Sequence, residues 1–245
     1  LATPQPPLAR VVWPAATRVI ASRYPPIDLY ERVSPDPAVW EALMAAERLV
    51  NPRVRESVGE LRLVPPEDRV AGPGANWVMA PFTHRHPGGS RFSGGSDGVY
   101  YAGDGLATAI AETAFHFATF ATDSGDGPRR ETMRVLVGPV DHAFHDLAQL
   151  HPAERVPLMD PRSYTRSQPF AAELRAAGSD GLHYPSVRRP AGFCLAVFRP
   201  TAVGIPQQTQ HLEYEWDGTA VRRYFDYADD RWHDLAPAAV LDSAS

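Results

Sequence analysis

Residues 88–117 read GGSRFSGGSDGVYYAGDGLATAIAETAFHF. The stretch opens on paired glycines and the pair Arg91–Phe92, passes through the β-type run Val99–Tyr100–Tyr101, turns at Asp104–Gly105 and enters a helix. Glycine lets a backbone approach a ligand closely, and a neighbouring arginine can grip phosphate with two parallel hydrogen bonds. Helical spacing places Leu106, Ala109, Ile110, Thr113 and Phe117 on one apolar face, with Glu112 beside that stripe rather than opposite it. A glycine loop bearing an arginine, followed by a strand and a helix carrying one carboxylate, reads as a nucleotide-handling site.

Toward the C-terminus, Thr132–Val137 has the pattern of a strand. Asp141, His142, His145 and Asp146 have the composition of a metal set, but Pro139 and the His-Asp-Leu continuation suggest surface residues of a loop. A helix is expected from about Gln168, ended by Gly178. Residues 180–188 then read as a strand and a polar turn offering Ser186 and Arg188, and Gly192–Phe198 as another strand. Asp217–Gly218, set between HLEYEW and AVRRYF, is a hairpin signal. Residues 235–245, LAPAAVLDSAS, read as a loose tail.

Toward the N-terminus, Val19–Ile20 suggests a short strand with Arg18, Arg23 and Arg32 nearby; any one of these, taken alone, reads as a solvated loop arginine. Asp36–Pro37 starts a helix in which Trp40, Leu43, Met44 and Glu47 recur at helical spacing, ending near Asn51–Pro52. Glu60–Val64 is a short element, and Asn76–Phe82, NWVMAPF, is an apolar run of strand type. His84 and His86 follow as an alternate pair without a third ligand at a metal-binding spacing. Strand signals outnumber helices and do not alternate with them as βαβ units, so the fold class is α+β, with mixed or antiparallel sheets flanked by helices. Residues 1–16 read as an exposed Pro-rich lead-in, 17–200 as the main domain, and 201–245 as an extension with a hairpin and a flexible tail.

Composition narrows the function classes. Of 245 residues, 44% are hydrophobic and 22% charged, ordinary values for a water-soluble fold, and no apolar run is long enough to span a membrane. The first residues lack the apolar core of a secretory signal, so a cytoplasmic location is the default expectation. Cys194 is the single cysteine, which excludes an intrachain disulfide and a thiolate metal cluster and reads as a buried structural thiol. The net charge of −5 argues against nucleic acid as the direct ligand. All 24 basic residues are arginine, so each arginine is less informative than it would be among lysines. No strand–GxGxxG–helix unit is present, which argues against redox use of a dinucleotide.

Three blocks, GGSRF at 88–92, YYAGDGLATAIAE at 100–112 and DGLHYPSVRRPAGFCLAVF at 180–198, together resemble the RES domain, with TRVIASRYPPIDLYERV at 17–33 resembling its first arginine block. The resemblance runs from about Arg18 to Pro200. It implies a fold similar to ADP-ribosyltransferase toxins and a toxin enzyme of a toxin–antitoxin pair. Such an enzyme acts on NAD as a substrate, without metal, by hydrolysis, phosphorolysis or ADP-ribosyl transfer. The implied partner is a small helical DNA-binding antitoxin that covers the pocket; self-association stays open. Residue by residue, the resemblance makes Arg18 and Arg91 the pocket arginines, Tyr101 the aromatic, with Tyr100 the alternative, Glu112 the acid and Ser186 the serine. Catalysis falls to Glu112, Arg91 and Ser186, and NAD binding to these with Arg18 and Tyr101; Arg32 and Arg188 are further contacts. GGSRF departs from the family in carrying Ser90 between the glycines and Arg91, which bears on where that guanidinium meets the phosphates. A non-catalytic nucleotide- or partner-binding module of the same fold is the alternative.

Overall fold

A computed structural model describes residues 5–23, 59–84 and 86–235, with positions 36, 39, 40, 42, 43 and 46. Within these the strands are β1 (Leu8–Ala21), β2 (Tyr100–Gly103), β3 (Arg129–Asp146), β4 (Gly181–Pro185), β5 (Phe193–Val197), β6 (Gln207–Trp216), β7 (Val221–Asp226) and β8 (Arg231–Asp234). The helices are α1 (Ala75–Thr83), α2 (Leu106–Asp123), α3 (Pro152–Leu158) and α4 (Ser167–Ala176). The strand order is β1-β2-β5-β4-β3-β6-β7-β8, with β1 also paired to β3. The pairings therefore close a ring, β1–β2–β5–β4–β3–β1, from which β6, β7 and β8 continue as an antiparallel meander. Only β3–β4 is parallel among these pairs, so the sheet is mixed and the fold is α+β as expected.

The 18-residue β3 holds the arrangement together. Its residues 133–145 pair with β1, 129–137 with β6, and its end, His145–Asp146, with β4. The register with β6 shifts between Arg134 and Leu136, and the buried positions change parity there, from Met133 and Val135 to Leu136, Val140 and Phe144. Because strand side chains alternate, one inserted residue exchanges the two faces. The strand thus feeds two cores. Val140 and Phe144 pack with α1, and Met133 and Val135 with α2. A third core sets Phe170, Ala171 and Leu174 of α4 against Leu182 of β4 and Ala196 of β5.

Three expectations are corrected. NWVMAPF lies in helix α1, where Ala75, Val78, Met79, Phe82 and Thr83 are buried at helical spacing. A seven-residue apolar run is too short for its period to be read, and its flanks, Ala75 and Thr83, complete the pattern. Residues 141–146 are not a loop but the second half of β3, and Asp146 is buried. Their partner is the supposed lead-in, since β1 begins at Leu8 and pairs Leu8 with His145 through Trp13 with Val140. Pro14 and Pro139 are both accommodated where the register shifts between Trp13 and Ala16, the kind of irregularity to which strand prolines are confined. The sheet consequently runs through both expected boundaries, with β1 crossing residue 16 and β6–β8 extending it beyond residue 200.

Other expectations match. α2 carries the predicted stripe and continues to Asp123. The hairpin turns at Asp217–Gly218, where the Asp217 carboxylate accepts hydrogen bonds from the Thr219 and Ala220 amides. Positions 39, 40, 42, 43 and 46 are helical and Trp40 is fully buried. Pro25, Pro26, Arg32, Met44, Glu47, Asn51, Pro52 and the tail beyond Leu235 lie outside the described residues. No described helix is long and apolar enough to cross a membrane.

Gly181 starts β4 with φ of 150°, and a Cβ there would lie 2.5 Å from the Ala196 carbonyl oxygen on β5. Gly181→Ala is therefore expected to destabilise the fold by roughly 1–3 kcal/mol from backbone strain alone. Chemical denaturation checks this, and an unchanged midpoint would show that the ring of strands yields there.

Candidate active site

A cavity of about 220 Å³ opens between β1, β2 and the first turns of α2, and Arg18, Arg91, Tyr101 and Glu112 all line it. β1 supplies Arg18, the glycine loop Arg91, β2 Tyr101 and α2 Glu112. The period-2 alternation of β2 decides between the two tyrosines. Tyr100 is buried in the core against α1, whereas Tyr101 faces the cavity.

Tyr101 ties the site together. Its hydroxyl shares a 2.8 Å hydrogen bond with Ser90 Oγ and accepts one of 3.1 Å from the Phe92 amide. Its backbone carbonyl accepts from Arg18 Nη1 at 3.1 Å. Burial pushes the phenol pKa up to about 12 against the opposing pull of these hydrogen bonds, so the hydroxyl stays protonated. Ser90, the departure from the family pattern, thus docks on Tyr101, and Arg91 keeps its place in the cavity wall. Arg91 Nη1 donates to the carbonyls of Leu158 at 3.3 Å and Asp160 at 2.7 Å, and its guanidinium lies 4.9 Å from the Tyr164 ring centre. Arg18 is half-buried, its guanidinium 4.9 Å from the Tyr100 ring centre, and burial lowers its pKa.

Glu112 is held from behind. Its Oε1 accepts a 2.6 Å hydrogen bond from Ser186 Oγ and a weaker one from the Cys194 thiol at 3.8 Å. No hydrogen bond among the described residues occupies Oε2. Ser186 Oγ in turn accepts from the amides of Arg188 and Arg189 at 3.1 and 3.0 Å. The resemblance makes Ser186 both a catalytic and a binding residue; its hydroxyl is engaged by the carboxylate and the two amides, and it is not among the residues lining the cavity. Burial, with the charge of Glu112, pushes the Cys194 thiol well above its usual range, so it remains protonated. Arg188 is buried, donates to the Pro161 carbonyl and stacks 3.3 Å from the Phe115 ring centre on the next face of α2. There it borders a larger, mostly apolar groove of about 390 Å³, lined among the described residues by one arginine, Arg188, and one carboxylate, Asp123.

Four polar or aromatic cavity residues carried no site role in the sequence reading: Thr17 on β1, Thr113 and His116 on α2, and Tyr184, which packs edge-on against Phe92 at 5.0 Å. His116 follows Glu112 by four residues, and that spacing was the available signal, because positions i and i+4 share a helix face. The sets around residue 142 make structural bonds instead. His142 bonds Asp180 at 2.8 Å, His145 bonds Ser179 at 2.8 Å and His183 bonds Asp146 at 2.9 Å, fastening β3 to the entry of β4.

One carboxylate among arginines suits an anionic ligand, since charge-assisted bonds to guanidinium offset phosphate charge where water is scarce. The carboxylate stays free to meet positive charge that develops during a reaction. Ser186→Ala would leave the two amides without their partner and Oε1 with only the weak Cys194 contact, and is expected to cost about 1–3 kcal/mol of stability. Equilibrium denaturation measures it, and no loss would mean that the turn makes these bonds elsewhere.

The RES domain family model matches residues 66–217, a span that holds the glycine loop, β2, α2 and Ser186. The uncharacterized protein y4oC of Sinorhizobium fredii (strain NBRC 101917 / NGR234) is 31% identical over 228 residues, 91% of each chain. Among solved structures, a chain of the M. tuberculosis MbcT–MbcA toxin–antitoxin complex aligns over 86% of this chain and 87% of its own, with a TM-score of 0.40 and 12% identity. A family match over more than half of the sequence, which includes the cavity residues Arg91, Tyr101 and Glu112 but not Arg18, shows that the chain belongs to the RES domain family.

Proposed function

We propose that the cavity binds NAD as a substrate and that the chain cleaves its nicotinamide–ribose bond. The observation that carries this reading is Glu112, a single carboxylate fixed by Ser186 in a cavity it shares with Arg18 and Arg91. When the bond breaks, its electron pair goes to the pyridinium, which leaves as neutral nicotinamide, and positive charge develops on the ribose. A leaving group already activated by its own charge needs no general acid, so one carboxylate suffices where most glycosidases use two. Glu112 would accept a hydrogen bond from a ribose hydroxyl and stabilise the cation. Arg18 and Arg91 would hold the pyrophosphate, and the Tyr101 ring would form the wall for the nicotinamide. Ser186 acts through Glu112 as a positioning residue. The fold's likeness to ADP-ribosyltransferase toxins, a toxin role and a cognate antitoxin complete this reading on the strength of family membership.

Nicotinamide release from NAD by the purified protein tests it, with and without phosphate. Glu112→Gln is expected to bind NAD within a few-fold of the wild type while turnover falls about 10²-fold or more. Equal turnover would remove Glu112 from the reaction. Arg91→Ala is expected to raise KM by roughly 10- to 100-fold, the scale of a lost charge-assisted bond. An unchanged KM would place the phosphates elsewhere.

A further inference from the structure

The proposed reaction needs a second chemical function that Glu112 does not supply. A protic acceptor attacking the ribose C1′ must lose its proton, and Glu112 is committed to the ribose on one side and to Ser186 on the other. The other cavity-lining groups are poorly suited. The Tyr101 phenol is pushed up to about 12, burial raises the Tyr184 phenol and the Cys194 thiol well above their usual ranges, and Arg18 and Arg91 are cationic donors. Among the described residues the cavity has one imidazole, His116. It stands one helical turn beyond Glu112, a spacing that sets the two Cβ atoms about 5–6 Å apart, and its side chain reaches solvent at the cavity mouth. In the proposed reaction an acceptor entering from solvent would pass this exposed imidazole before reaching the carbon beside Glu112.

We infer that His116 is the general base of this site, taking the proton of a hydroxyl acceptor, water in the simplest case, as its oxygen bonds to C1′. The inference rests on the NAD-consuming reading. The C1′–N bond breaks and its electron pair leaves with neutral nicotinamide. The acceptor oxygen forms the C1′–O bond, and the acceptor proton passes to the neutral imidazole and then to solvent. The groups around His116 keep it ready for this. The protein packed about the ring is the largest influence and lowers its pKa. Arg188 from the turn after β4, Arg91 from the glycine loop and His86 after α1 act in the same direction, and Glu112 opposes them. The Phe115 ring stands edge-on at 5.5 Å. The imidazole is therefore neutral at pH 7, and activity is lost as the pH falls through its lowered pKa.

His116→Gln tests this in the nicotinamide-release assay. The expected result is a fall in kcat of about 10²- to 10⁴-fold, with NAD affinity by calorimetry unchanged within a few-fold. Added imidazole should restore part of the rate, and the acid limb of the wild-type pH profile should disappear. A merely structural role would give no imidazole rescue and no change of limb. Release by the wild type that continues in His116→Gln with the same rate and pH profile overturns the inference alone. So does release that depends on inorganic phosphate and is indifferent to the substitution, because that acceptor arrives already deprotonated. No release by a wild type that binds NAD overturns the catalytic reading and this inference with it.

Discussion

The pairing of β1 with β3 is the constraint on which the rest of the structure depends. Twelve residues of β1 face twelve of β3 in this ladder, interrupted once between Trp13 and Ala16. It closes the ring of strands, because β1 meets β2 through Thr17 and Gly103 alone and β3 meets β4 at two positions. Without the long ladder these short contacts would have nothing to hold them in register. The ladder also puts Arg18 beside β2, where it reaches the Tyr101 carbonyl. The cavity thus depends on a pairing between segments more than a hundred residues apart.

Around that frame the site is organised by successive restraint rather than by one strong contact. Tyr101 is fixed by the loop that carries Arg91, through Ser90 and the Phe92 amide. Arg91 is fixed by carbonyls at the end of α3. Glu112 is fixed by Ser186, whose hydroxyl is itself oriented by two amides of the following turn. Each group has few rotamers left before a ligand arrives, and preorganised donors and acceptors are most effective where charge develops in a site shielded from water. The same burial keeps the neighbouring thiol and phenols protonated, so charge in the cavity is concentrated on Glu112 and the arginines.

Much of this was legible in the sequence, for physical reasons. α2 was readable because its apolar stripe, Ala109, Ile110 and Phe117, recurs with the helical period over several turns. The β6–β7 hairpin was readable because Asp217–Gly218 supplies the turn between two alternating runs, whose inward residues are Leu212, Tyr214 and Trp216. α1 was not, since its period emerges only with Ala75 and Thr83 included. The second half of β3 was missed because Pro139 argues locally against a strand, and the register shift that tolerates it involves Pro14, on a segment that looked like a lead-in. Arg18, Arg91, Tyr101 and Glu112 were named from three separated blocks, and the structure gathers all four around one cavity.

By itself, the sequence determined the elements whose signals are local: the period of α2, the turn of the hairpin, and the glycine loop with its arginine and following carboxylate. Only the tertiary structure decided what depends on distant partners. It made a strand of residues 8–13, chose Tyr101 over Tyr100, set Ser186 behind Glu112 and brought His116 to the cavity mouth. The reason is that periodicity and turn chemistry are written within a few residues, whereas a strand's partner and a side chain's neighbours are set by long-range pairing and packing.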